Sequence, residues 1–218
     1  MWSGGGSILV PTAVFASGNG SNLQAVIDAV AGGGLPLELR LVVSNRPDAF
    51  ALTRAARANI PSLVMPFSHS EESRSAYGLR LARAVRGKGV KLVLLLGWMH
   101  VLAPEFVGAG FAGILNLHPA YLPEDPAADA VTFPDGTTTV VFRGAHALRD
   151  ALLAGVKTTG ASLIEITPEI DRGPVLARRP LALNPGEDEK KALERLHDVE
   201  RDVVREGVAA WLRANAYG

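Results

Sequence analysis

An open α/β sheet, mostly parallel and Rossmann-like with helices on both faces, is the fold class this sequence predicts. Three observations lead there. Short β-branched runs alternate with helical patterns through the first half, as strands and crossover helices do. A glycine-rich turn stands where the first strand hands over to the first helix. The most apolar run, Lys91–Trp98, reads as a central strand.

The elements follow in order. Thr12–Ala16 is a buried strand, and Ser21–Ala31 a helix with Leu23, Val26, Ile27 and Val30 on one face. Leu37–Ser44 is the second strand and Phe50–Ala58 the second helix; Ser62–Met65 is the third strand and Arg74–Arg86 a long basic helix. After Lys91–Trp98 comes Gly113–Leu117, which runs into Asn-Leu-His-Pro. The alternation then breaks. Val131–Phe133, a Pro134-Asp135-Gly136 turn and Thr137–Phe142 predict a small β-hairpin inserted between Tyr121 and Gly144. A helix at Ala147–Leu153, strands at Ala161–Thr167 and Val175–Leu183, and a long helix over about Asp188–Arg213 complete the pattern. One continuous domain over residues 11–218 is expected, preceded by a flexible extension at 1–10 with neither the basic n-region nor the apolar core of a signal peptide.

Composition narrows the function. The 218 residues are 48% hydrophobic and 20% charged, which argues against disorder. Lys plus Arg balance Asp plus Glu at 22 each, so neither a generally basic nucleic-acid surface nor a polyanionic tail is present. The balance is uneven along the chain: residues 1–109 hold 10 basic and 6 acidic side chains, residues 110–218 hold 12 and 16. There is no cysteine, which excludes disulfides, thiolate metal sites and cysteine nucleophiles and favours an intracellular, cytoplasmic setting. No pair of histidines has metal-ligand spacing, so no metal is expected. No apolar run approaches the ~20 residues of a membrane span. A monomer or weak homodimer is the default expectation.

Two places carry chemistry. Ser17-Gly18-Asn19-Gly20-Ser21-Asn22 opens the first helix, where close backbone approach and free N–H groups favour an anion, phosphate above all. A dinucleotide fits less well: Leu23 replaces the third glycine of G-x-G-x-x-G, and the second strand ends at Ser44-Asn45 without an acid for a ribose. Arg46 nearby could in principle meet a 2′-phosphate. Asn116-Leu117-His118 puts two polar side chains on one side of a strand, at the end where open α/β sheets bind ligands. The imidazole can move a proton and the amide can donate to an oxyanion. Asp171, in the turn Ile170-Asp171-Arg172-Gly173-Pro174, is the best carboxylate to orient the imidazole.

Together these residues resemble the folate-dependent formyltransferases, most closely the purine-synthesis branch. The resemblance runs through Ser17–Gln24, Val43–Arg46, Leu96–Leu102, Leu115–Pro119 and Asp171–Pro174, five ordered motifs that cover most of the chain. It implies 10-formyltetrahydrofolate as formyl donor and glycinamide ribonucleotide as acceptor. It further implies Gly20, Ser21 and Asn22 as the phosphate cradle, and Asn116, His118 and Asp171 as the catalytic trio. Arg74, Met99, Val101 and Leu102 would meet the folate, Glu200 would bind the glycinamide side, and Ser162 matches a family serine near the aspartate. Two departures stand out. Arg143 occupies the place of a proline in Arg143-Gly144-Ala145-His146, and the Tyr121–Gly144 hairpin is inserted ahead of it. A 10-formyltetrahydrofolate hydrolase shares the trio but is expected to carry an extra N-terminal domain and has no phosphate for the glycine loop. The initiator-tRNA formyltransferases append a basic domain. A non-catalytic or NAD(P)-binding Rossmann module is the remaining alternative.

Overall fold

The computed structural model describes residues 8–144, 146–167, 169 and 171–217. The expected extension at 1–10 falls largely outside them. Ile8 and Leu9 are exposed, whereas Val10 is already fully buried in the first strand. The chain divides into two compact units, residues 1–115 with 212–218, and residues 116–211.

In the first unit, β1 (Val10–Phe15), β2 (Leu37–Ser44), β3 (Ser62–Val64) and β4 (Leu92–Leu95) pair in parallel, with β1 between β2 and β4. β4 is buried at all four residues, and β1 at all but Pro11. Strands covered on both faces favour apolar runs, and Ala13–Phe15 and Leu92–Leu95 supply them. Helices α1 (Ser21–Ala31), α2 (Phe50–Arg57) and α3 (Arg74–Arg86) make the crossovers. The Ser73 side chain caps α3 by accepting from the Ala76 N–H at 3.1 Å. The short α4 (Pro104–Val107) has no counterpart in the sequence reading, because four residues are too few to show a helical period. Its Phe106 is fully buried, with its ring 5.5 Å from that of Phe15.

Strand β5 (Gly113–His118) leads into the second unit. There the antiparallel pair β6 (Ala130–Thr132) and β7 (Thr138–Val140) forms the expected hairpin. Its Phe133 packs with Tyr121, Val131 and Val141 in a small core of its own. Arg178 lies over the Tyr121 ring at 4.6 Å and donates to the Leu122 carbonyl at 2.6 Å. α5 (Ala147–Leu153) leads to β8 (Thr158–Glu165), which pairs antiparallel with β9 (Val175–Ala182). α6 (Glu189–Ala214) buries Ala192, Leu196, Glu200, Val203, Val204 and Val208 along one stripe, the spacing of an amphipathic helix. The sheet order is β3-β2-β1-β4-β5-β8-β9, so β4 is central as the sequence predicts. Among the described residues no helix is long and apolar enough to cross a membrane.

Candidate active site

Side-chain alternation along β5 turns Asn116 and His118 to one side at the end of the strand. Asp171 reaches them from the turn between β8 and β9. Its φ of 51° lies in the left-handed region, which a short acidic side chain tolerates better than most. Gly173 makes that turn possible, since a Cβ there would stand 1.6 Å from the Glu165 carbonyl oxygen. The Asp171 carboxylate accepts from three donors. Asn116 Nδ2 donates to Oδ1 at 3.4 Å, His118 Nδ1 lies 3.4 Å from Oδ2, and the Gly144 N–H donates to Oδ2 at 2.9 Å. On its other edge, His118 Nε2 donates to the Phe142 carbonyl at 3.0 Å. A carboxylate and a carbonyl can only accept, so engaging both ring nitrogens at once takes a proton on each. The His118 and Asp171 side chains are only 4% and 8% exposed. Contacts of 3.4 Å are long for hydrogen bonds, as catalytic contacts commonly are before substrate packs against them. The cluster thus offers an amide donor, a protonatable imidazole and a carboxylate at one point.

Ser162 does not join them. Fully buried, it donates to the Ala120 carbonyl at 2.8 Å and accepts from the Leu122 N–H at 2.9 Å, fixing the chain just beyond His118. Glu200 is buried on α6.

In the first unit, Gly20 is the N-cap of α1 with φ 74°, and no side chain caps the helix. A Cβ at Gly20 would lie 2.8 Å from the Ala51 backbone, so the left-handed turn and the close approach both demand glycine. Arg54 braces the loop from α2. Its Nε donates to the Asn19 carbonyl at 2.9 Å and its Nη2 to the Asn19 side-chain oxygen at 2.8 Å. Ser21 and Asn22 open the first turn of α1, and Asn22 is buried. Arg46 is committed to Asp48 at 2.8 Å on the surface.

A groove in the same unit is lined by Arg74, Val101 and Leu102 together with Phe67, Trp98 and His100. Met99 is not part of its lining and stands 62% exposed; Val101 is 58% exposed. Asn45 Nδ2 donates to His100 Nε2 at 2.5 Å. Burial, then the charges of Arg74 and His69, push the His100 imidazole below its ordinary value. Tyr77, also lining the groove, has its hydroxyl pushed up to about 12 by burial.

The roles of Phe142, Gly144 and Arg54 were not legible in the sequence. The first two act through backbone atoms, which no residue type announces, and Arg54 looks like any basic residue of an amphipathic helix.

A model of the formyl transferase family matches residues 11–208. The chain belongs to the formyl transferase family. A phosphoribosylglycinamide formyltransferase of Escherichia coli is 33% identical over 190 residues, covering 87% of this chain and 81% of that protein. A trifunctional purine biosynthetic protein of Drosophila melanogaster is 35% identical over 191 residues, covering 86% of this chain. The formyl transferase described here spans 13% of the length of that protein and of its Drosophila pseudoobscura counterpart. Among solved structures, glycinamide ribonucleotide transformylase 1 of Symbiobacterium toebii superposes with a TM-score of 0.80 at 30% identity, covering 92% of this chain and 86% of that one. The Rossmann-like formyltransferase fold expected from the sequence is the one observed.

Proposed function

We propose that this formyl transferase moves the formyl group of 10-formyltetrahydrofolate to the amine of 5-phosphoribosylglycinamide, a step of de novo purine synthesis. The observation that carries the reading is the convergence of Asn116 and His118 on the Asp171 carboxylate. The names of the E. coli and S. toebii relatives support the choice of acceptor.

The amine nitrogen attacks the formyl carbon, a C–N bond forms, and the carbonyl electron pair moves onto oxygen. The Asn116 amide donates its second N–H to that oxygen, and the His118 imidazolium turns its Nε2–H from the Phe142 carbonyl to the same oxygen, interactions stronger in the transition state than before it. Asp171, directly or through a water, keeps the imidazole charged and relays the proton lost by the amine toward the folate nitrogen. Collapse of the tetrahedral species breaks the bond to that nitrogen and leaves the formylated amine. Gly20, Ser21 and Asn22 hold the ribonucleotide phosphate with backbone N–H groups, and Glu200 takes the glycinamide end. Arg74 meets the folate's glutamate carboxylate, and Met99, Val101 and Leu102 give its ring an apolar wall.

The test follows the absorbance of deformylated folate with and without glycinamide ribonucleotide. Turnover that requires the amine supports the reading. Turnover independent of it identifies a hydrolase, and none, with nicotinamide binding instead, identifies a Rossmann module.

A further inference from the structure

The segment just beyond the hairpin, Phe142-Arg143-Gly144, touches both members of the catalytic pair. Phe142 accepts from His118 Nε2 at 3.0 Å, and Gly144 donates to Asp171 Oδ2 at 2.9 Å. Between these two backbone contacts stands the Arg143 side chain. Its Nε donates to the Asp171 carbonyl at 3.4 Å. Its two terminal nitrogens reach across to the root of the hairpin: Nη2 donates to the Ala128 carbonyl at 2.8 Å and the Pro126 carbonyl at 3.4 Å, and Nη1 meets Asp129 at 3.3 Å. Arg172, next to the catalytic aspartate, repeats the pattern. It donates to the same Pro126 carbonyl at 2.7 Å and to the same Asp129 oxygen at 2.8 Å.

Two guanidiniums therefore tie the 126–129 segment to the turn that presents Asp171. A planar fork with five donors can span several carbonyls at fixed angles, which a proline cannot do at all. The Arg143 side chain is 17% exposed, and burial, then the neighbouring Arg172, lowers its pKa from the ordinary value. A cation kept that far from water by carbonyl partners holds its geometry more firmly than an exposed surface pair. Asp171 also needs holding, because its left-handed backbone is an uncommon one for a residue other than glycine. The hairpin core of Tyr121, Val131 and Phe133 anchors the far end of the tie.

We propose that Arg143 is a positioning residue and the inserted hairpin its anchor: together they hold Phe142 and Gly144 against His118 and Asp171. The inference rests on the reading that this pair does the chemistry. Arg143 touches no reacting atom; it acts through the two backbone groups beside it.

The test uses the full chain and three variants, Arg143→Ala, Arg143→Lys and Asp129→Ala. Two quantities are measured: kcat and KM for formyl transfer, and the amide hydrogen exchange of Gly144 by NMR. In Arg143→Ala, kcat falls about ten- to a hundredfold, the effect of a small misplacement of a catalytic group. KM for glycinamide ribonucleotide stays near the wild-type value, and Gly144 exchange accelerates. Arg143→Lys recovers only part of the loss, because one ammonium cannot span three carbonyls. Asp129 is 80% exposed, so its replacement disturbs folding least and decides the matter if Arg143→Ala does not fold. It is expected to lower kcat by less than Arg143→Ala and to speed Gly144 exchange. Unchanged Gly144 exchange in the folded variants, or normal kcat, overturns the proposal. Faster Gly144 exchange in a protein whose wild type transfers no formyl group leaves the tie standing and refutes the proposed reaction alone.

Discussion

Replacing Asp171 by Asn changes one atom and removes one charge. The amide oxygen can still accept from the Gly144 N–H, and Asn116 can rotate its own amide to meet the new NH2, so the hydrogen-bond geometry is largely repairable. The ion pair is not. Two unit charges 3.4 Å apart interact by about 5 kcal/mol at an effective dielectric of ~20, and the pair is almost fully buried, so solvent screens little of that. Because the imidazolium matters most as negative charge develops on the formyl oxygen, most of this loss falls on the transition state. About 4 of those 5 kcal/mol, felt in the transition state, is roughly three orders of magnitude in rate. That falls within the ~10²–10⁴ that one acid–base group contributes. The assay is steady-state release of deformylated folate at saturating donor and acceptor, with thermal unfolding measured in parallel. The expected outcome is a kcat lower by about a thousandfold, KM for glycinamide ribonucleotide little altered, and a folded protein. A kcat within about threefold of wild type, less than ~1 kcal/mol of barrier, would refute the assignment.

Other consequences can be checked alongside. Gly173→Ala forces a Cβ against the Glu165 carbonyl, and overpacking of this kind costs ~2 kcal/mol or more, lowering Tm by roughly 4–8 °C in calorimetry. Arg74→Ala should raise KM for the folate donor about tenfold with kcat nearly unchanged, the loss of one charge-assisted contact to a carboxylate. His100 has its pKa lowered in the folded protein, so as pH falls the unfolded chain takes up that proton first. Wild-type stability should therefore drop relative to His100→Gln once pH falls below the ordinary histidine value of about 6.5, and parallel Tm profiles would contradict this.

Periodicity and turn chemistry carried most of the fold. α1, β2, α3 and α5 lie where the apolar spacing and the flanking glycines place them, because each has a strong local signal. β4 is shorter than its apolar run: Trp98 lies beyond the strand and lines a groove, and hydrophobicity alone does not separate strand from pocket wall. β8 begins at Thr158 rather than Ala161, since pairing with β9, not local preference, decides where an antiparallel strand starts. The Asn-x-His pair was legible from alternation, and Asp171 from its turn. Their contacts through Phe142 and Gly144 were not, because these are backbone atoms brought in by a hairpin whose packing depends on residues far apart in sequence. Arg143 was visible only as a departure from the proline expected by resemblance, and its partners at 126–129 needed the fold.

Every role proposed for the site turns on a formyl group passing from folate to the amine of glycinamide ribonucleotide. Incubating the protein with 10-formyltetrahydrofolate labelled with carbon-13 in the formyl group, and resolving products by mass spectrometry, tests it most directly. Direct transfer places the label in the formylated ribonucleotide, one equivalent for each folate deformylated. Label recovered as free formate, with the ribonucleotide unmodified, would contradict it.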